Sequence, residues 1–295
     1  LDSDYKKMFN DYDYASNSKE IIFALWRNKS VTQYKDTPMQ QFTPNAETNV
    51  LHDFAWPKLK QNFLGWGNRW PSQDLVDEYE VIDRDGKAKK WNETSYYEDY
   101  INNPGTYWVS DHLYKHRDQR FYASIAYDST YIYENLVVTR ITGNMHRKSL
   151  NKASKLSTRT GYFVRKTLYE KEPIFAQNYT DYHHVILRLG RSYLNYAEAC
   201  LRLNEKDKAI EYINKTRTLH GGLPAHTAAA MTLDDAWKAY KSERRVELFF
   251  EGDRYWSLIR WGKADGLEVI PELNHAFQTL EIAADGHSYE MIDVP

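Results

Sequence analysis

Apolar positions recur at three- and four-residue spacing in only one part of this chain. Leu187, Tyr193, Leu194, Ala197, Cys200 and Leu201 fall at helical spacing, the period of an amphipathic helix. Asn204-Glu-Lys-Asp207 interrupts that pattern as a turn, and Ala209, Ile210, Ile213 and Arg217 continue it on a second helix. Gly221-Gly222 and then Pro224 stop the second helix. Thr232 can N-cap a third, with Asp235 three residues on in the capping-box position. That helix brings Trp237 and Tyr240 before residues 242–262. Residues 185–262 are therefore expected to form stacked helical hairpins of the tetratricopeptide kind.

Upstream, the pattern breaks up. Glu20–Leu25, Tyr122–Tyr127 and Leu136–Thr142 are short strand-like runs, and Ser72–Glu80 reads as a helix, between long polar connections. Residues 29–63 have little periodicity, and a loop of that length is usually functional or disordered. The tail after Gly266 is ambiguous. The expected fold is mainly α: a loop-rich aromatic segment (1–180), tetratricopeptide-like helical hairpins (181–265) and a C-terminal tail (266–295), with few short strands.

Residues 242–262 set Arg244, Arg245, Glu247, Glu251, Arg254 and Arg260 among Val246, Leu248, Phe249, Phe250, Tyr255, Trp256, Leu258 and Ile259. On a continuous helix Arg244 and Glu247 lie one turn apart, as do Glu251 and Arg254, so both can pair. Charges this dense among apolar groups point to a partly buried, paired network, because an unpaired buried charge is too costly.

Composition narrows the functional classes. The net charge of −2 gives no reason to expect nucleic acid or an acidic membrane surface. No apolar run approaches a membrane span, and no signal-peptide pattern is present. The single cysteine, Cys200, lies among small and apolar residues and reads as a buried packing thiol. The chain has 24 Tyr, 11 Phe and 9 Trp, yet its mean hydropathy is −0.75. Some of those rings are expected at a surface, where an apolar face and a polar edge are both useful.

Residues 54–108 hold 12 aromatics, five of them Trp. In Gly65-Trp-Gly-Asn-Arg-Trp70, glycines flank Trp66, while Asn68 and Arg69 can supply hydrogen bonds. Flat rings with amide and guanidinium groups at their edge suit the apolar face and hydroxyl rim of a sugar. Trp66, Trp70, Asn68, Arg69, Trp56 and Tyr34 are the candidate glycan-binding residues; the alternative for Trp66 and Trp70 is cover for the core. Tyr96, Tyr97, Tyr100, Tyr107 and Trp108 read as core or partner interface. His183-His184 lacks a further ligand at metal-binding spacing, so no metal or cofactor is expected. No two carboxylates are singled out as a hydrolytic pair, and no catalytic residue is assigned.

Residues 242–262 resemble the C-terminal signature of the SusD/RagB family through Arg244, Glu247, Leu248, Glu251, Gly252, Arg254, Leu258, Arg260, Trp261 and Gly262. Glu20–Leu25, Trp70–Tyr79, Arg117-Asp-Gln-Arg-Phe121, Thr160-Gly-Tyr162, Ile186–Leu189 and Tyr193–Ala199 resemble other family segments, in the family's order. Gln119 stands where proline is usual. The resemblance implies a SusD-like fold represented by its C-terminal part, without the N-terminal half and its lipid-acceptor cysteine. It also implies an outer-membrane, cell-surface lipoprotein that binds oligosaccharide and passes it to a TonB-dependent transporter of the SusC type. Contact with the membrane would be only through an N-terminal lipid anchor outside this chain. A glycoside hydrolase and an intracellular tetratricopeptide scaffold are the alternatives. The first needs two carboxylates at a defined separation; the second has no need of the Trp-rich loop.

Overall fold

A computed structural model of the chain describes residues 1–46, 58–146, 158–171 and 178–294. Helix α1 (Leu189–Arg202) buries Leu194, Ala197, Cys200 and Leu201, and α2 (Lys206–Leu219) buries Ala209, Ile210 and Ile213. Asn204 makes the turn between them with φ 61°, a left-handed conformation that asparagine adopts more readily than most residues. Helix α3 (Leu233–Glu247) opens on the expected capping box, with the Asp235 amide donating to Thr232 Oγ1 at 3.1 Å. Its Ala236 and Tyr240 join the α1–α2 core, which Leu248, Leu258 and Trp261 complete.

Residues 242–262 are not one helix. α3 ends at Glu247, the chain turns through Phe250 (φ 63°) and Gly252 (φ 70°), and α4 (Arg254–Ala264) begins afresh. The one-turn ion pairs expected on a continuous helix do not form. Arg244 pairs with Asp253 and Glu251 with Arg188 and Lys166.

The expected strand near Glu20 is β1 (Ile21–Arg27), antiparallel to β2 (Tyr182–Arg188), with Ala24 opposite Val185. β2 runs directly into α1, so Arg188 sits at the helix entrance. Three other expectations change. The first half of Tyr122–Tyr127 is the end of a helix, Gln119–Ser124, because the Asp118 carboxylate caps it through the Arg120 amide. Only Ile125–Ala126 are extended. Of Leu136–Thr142 only Leu136 and Val137 are extended, as the end of the short strand Asn135–Val137. Beyond it the amides of Thr139 and Arg140 turn to the Asp128 carboxylate, 2.8 and 2.9 Å away, which ends the ladder. The Ser72–Glu80 helix is cut to Gln73–Val76, since Val81-Ile82 pairs with Ala88-Lys89.

The last thirty residues include a hairpin, β3 (Gln278–Ile282) and β4 (Tyr289–Asp293). Its Leu280 and Ile282 are buried with Tyr79, Phe121 and Tyr162 in a second core. A third gathers Tyr34, Phe42, Phe63 and Phe163 beneath the loop-rich region.

Candidate functional site

Behind the surface the cores are joined by buried charges. Glu247, fully buried, accepts Arg120 Nη1 at 2.8 Å, Arg188 Nη1 at 2.6 Å and His220 Nδ1 at 2.8 Å. Arg120 also reaches Asp118 and Glu243, and Arg188 reaches Glu20 and Glu251. Burial alone would raise the Glu247 pKa, but His220, Arg188 and Arg120 hold it well below the carboxylate range. Burial would likewise push His220 down, yet Glu247 and Glu20 keep it at about 9. Glu20, His220 and Glu247 have metal-ligand atom types in one place. Their lone pairs, however, face two guanidiniums and a protonated imidazole, an environment that disfavours a cation. This cluster is structural.

The Gly65–Trp70 segment is clamped to the chain at residues 40–43. Trp66 donates its amide to Gln40 O at 2.7 Å and Gly67 donates to Thr43 O at 2.9 Å. A Cβ on Gly65 would sit 2.0 Å from Thr43 O, and Gly67 has φ 51°. Only glycine allows both the close approach and the left-handed turn. The Trp66 indole is left 49% exposed on this rigid support. Arg69 is exposed, with Nη1 donating to Asn68 O at 3.2 Å, and Asn68 is half-buried.

The other candidates separate. Tyr34 is fully buried, its hydroxyl bonded to Thr43 Oγ1, and it offers no ring face to a ligand. This is a correction: the loop folds inward around Phe42 and Phe63 rather than projecting its tyrosine. Trp56 lies outside the described residues. His183 is a core histidine between Tyr169 and Met8 O, lowered to about 4 by burial. Tyr96, Tyr97 and Tyr100 pack half-buried against the second core, while Trp108 is exposed.

Trp70, half-buried, lines a cleft of about 1190 Å³ bounded by the turn after α3 and the start of α4. Phe249, Tyr255, Trp256 and Phe277 supply its aromatic walls, and the Trp256 indole is 67% exposed. Among the described residues, Trp70 Nε1 and Asp74 Oδ2 are buried without a hydrogen-bond partner. Such orphaned groups on a cleft wall can serve a polar ligand. Tyr255 and Trp256 escaped attention in the sequence because they lie inside the signature. A signal existed for Trp256: it lies on the side of α4 opposite Leu258 and Trp261, which are buried.

The model of the SusD family matches residues 19–290. A SusD-like protein, P38, of Formosa agariphila is 30% identical over 117 residues, 38% of this chain and 23% of that protein. Two solved structures from Bacteroides fragilis share the fold. One, a SusD-like protein, superposes with a TM-score of 0.70 at 20% identity, over 99% of this chain and 51% of that one. The other, a SusD-like carbohydrate binding protein, gives 0.65 at 22% identity, over 95% of this chain and 47% of that one. The chain thus spans about half the length of the solved structures it matches.

Proposed function

This chain belongs to the SusD family, and from that membership we propose that it is part of a cell-surface oligosaccharide-binding protein which hands its ligand to a TonB-dependent transporter of the SusC type. The longer protein is held at the outer membrane by a lipid anchor, and it binds without cleaving. The observation that carries the binding role is the Trp66 indole, exposed on a backbone that Gly65 and Gly67 lock in place. A rigid exposed ring is a poor use of apolar surface for stability and a good one for stacking on a sugar. Asn68 and Arg69 stand beside it to bond hydroxyls.

Binding rather than hydrolysis is supported by the state of the signature carboxylates. Glu247 and Glu251 are buried and held ionised by Arg188, so neither is a general acid of raised pKa. The test is titration of neutral and acidic oligosaccharides into the protein, followed by chromatography of the ligand after long incubation. Saturable binding with unchanged ligand length is expected. Time-dependent shortening would replace this reading with a hydrolase.

A further inference from the structure

Resting on the glycan-binding reading, we propose that the cleft between Trp70 and α4 is a subsite for an acidic sugar residue, with Arg254 holding its carboxylate or sulfate group. Arg254 lines the cleft and is half-buried, yet among the described residues it makes no hydrogen bond or ion pair. Its guanidinium lies over the Trp261 ring, 5.9 Å from the centroid. The other guanidiniums of the signature are committed: Arg244 to Asp253, Arg245 to Glu78 and Arg260 to Glu198.

The acids nearby act on Arg254 only from a distance: Glu78, Glu272 and Asp253 attract it, but none forms an ion pair with it among the described residues. Asp253 is taken by Arg244 and Ser257, and Glu78 by Lys90, Ser242 and Arg245. Glu272 lies exposed on the rim and makes no ion pair with it. Burial, reinforced by the charge of Arg245, outweighs the pull of Glu78, Glu272 and Asp253 and lowers Arg254 to about 10, as befits a partly desolvated cation held in no direct ion pair. An anionic group on a ligand would remove that cost, because charge-assisted hydrogen bonds strengthen as water is excluded. Asp253 also turns its carboxylate inward and leaves α4 without a side-chain cap, so the positive end of the helix adds to the same potential.

The rest of the wall fits a saccharide. Tyr255 and Trp256 present exposed rings. Asp74 lines the cleft with its Oδ2 3.9 Å from His275 Nε2, and Trp70 Nε1 is buried beside it without a hydrogen-bond partner among the described residues.

The experiment is calorimetric titration with oligogalacturonate and its methyl ester, κ-carrageenan oligosaccharide and its desulfated form, and neutral cello- and laminari-oligosaccharides. The uronate and sulfate arms tell which anionic group is held. At least one acidic oligosaccharide is expected to bind about ten- to a hundredfold tighter than its uncharged form. Arg254→Gln should abolish that preference, and Arg254→Lys should retain part of it. Thermal melts show that the variants are folded. If charged and uncharged forms bind equally, or folded Arg254→Gln keeps the preference, the acidic subsite is wrong while glycan binding stands. If no oligosaccharide binds at all, both readings fail.

Discussion

Replacing Glu247 by alanine strikes the charge network at its centre. The carboxylate accepts hydrogen bonds from Arg120, Arg188 and His220, with no exposure to solvent. Each such bond to a charged partner is worth about 1.5–3 kcal/mol, so three in isolation would exceed ~4 kcal/mol. They are not isolated. Arg120 keeps Asp118 and Glu243, Arg188 keeps Glu20 and Glu251, and His220 keeps Glu20. The expected loss is therefore that of one broken buried pair, about 3–5 kcal/mol. At roughly 2–4 °C per kcal/mol for a large domain, Tm should fall by about 6–20 °C in calorimetry at neutral pH. Glu247→Gln, which keeps the shape and one acceptor, should lose less. A Glu247→Ala protein melting within about 2 °C of the parent would refute the view that this network holds the cores together.

Stability should also depend on pH through the same groups. His220 is raised in the fold to about 9, so its contribution is complete below its unfolded value near 6.5 and declines as pH rises toward about 9. Lys166, lowered to about 8, acts oppositely above that pH, which leaves 6.5 to 8 as the clean window; His220→Gln should flatten the melting curve there. Glu251, lowered to about 2, supports the fold above the usual carboxylate range and loses that support as pH falls toward 2, a decline that acid titrations of Glu251→Gln should reduce. Trp66→Ala should weaken oligosaccharide binding in calorimetry with a melting temperature within about 2 °C of the parent, since an exposed ring has little core to lose; a loss of several kcal/mol in stability, as for a core Trp, would assign it to packing. Gly65→Ala should destabilise by about 1–3 kcal/mol in denaturant unfolding, because the new methyl meets the Thr43 carbonyl.

Periodicity made α1, α2 and α3 legible, down to the Asn204 turn and the Thr232 cap, because those features are local. What failed was decided at a distance. The pairing of Arg244 with Asp253 depends on a break at Phe250 and Gly252 that a helical wheel does not show. Arg120 and Arg188 as partners of Glu247 depend on contacts across 127 and 59 positions. Trp66 could be singled out because its glycines are adjacent, whereas Tyr34 could not be placed, since a tyrosine serves a core and a platform equally well. The cleft wall at Tyr255 and Trp256 was hidden by the likeness of its surroundings to a structural signature.

The Glu247 cluster also bears on the order in which the molecule assembles. Its members come from positions 20, 120, 188, 220 and 247, and Tyr5 reaches the Glu247 carbonyl across 242 positions. Closing loops of that length costs chain entropy that local contacts do not, so these contacts form late relative to the helical hairpins. The helical hairpins can form early from near neighbours, while the ionic knot closes only when the whole chain is in place. Groups that join after the rate-limiting step govern how fast the native state is lost more than how fast it is reached. The knot therefore acts as a latch on unfolding more than as a guide to folding.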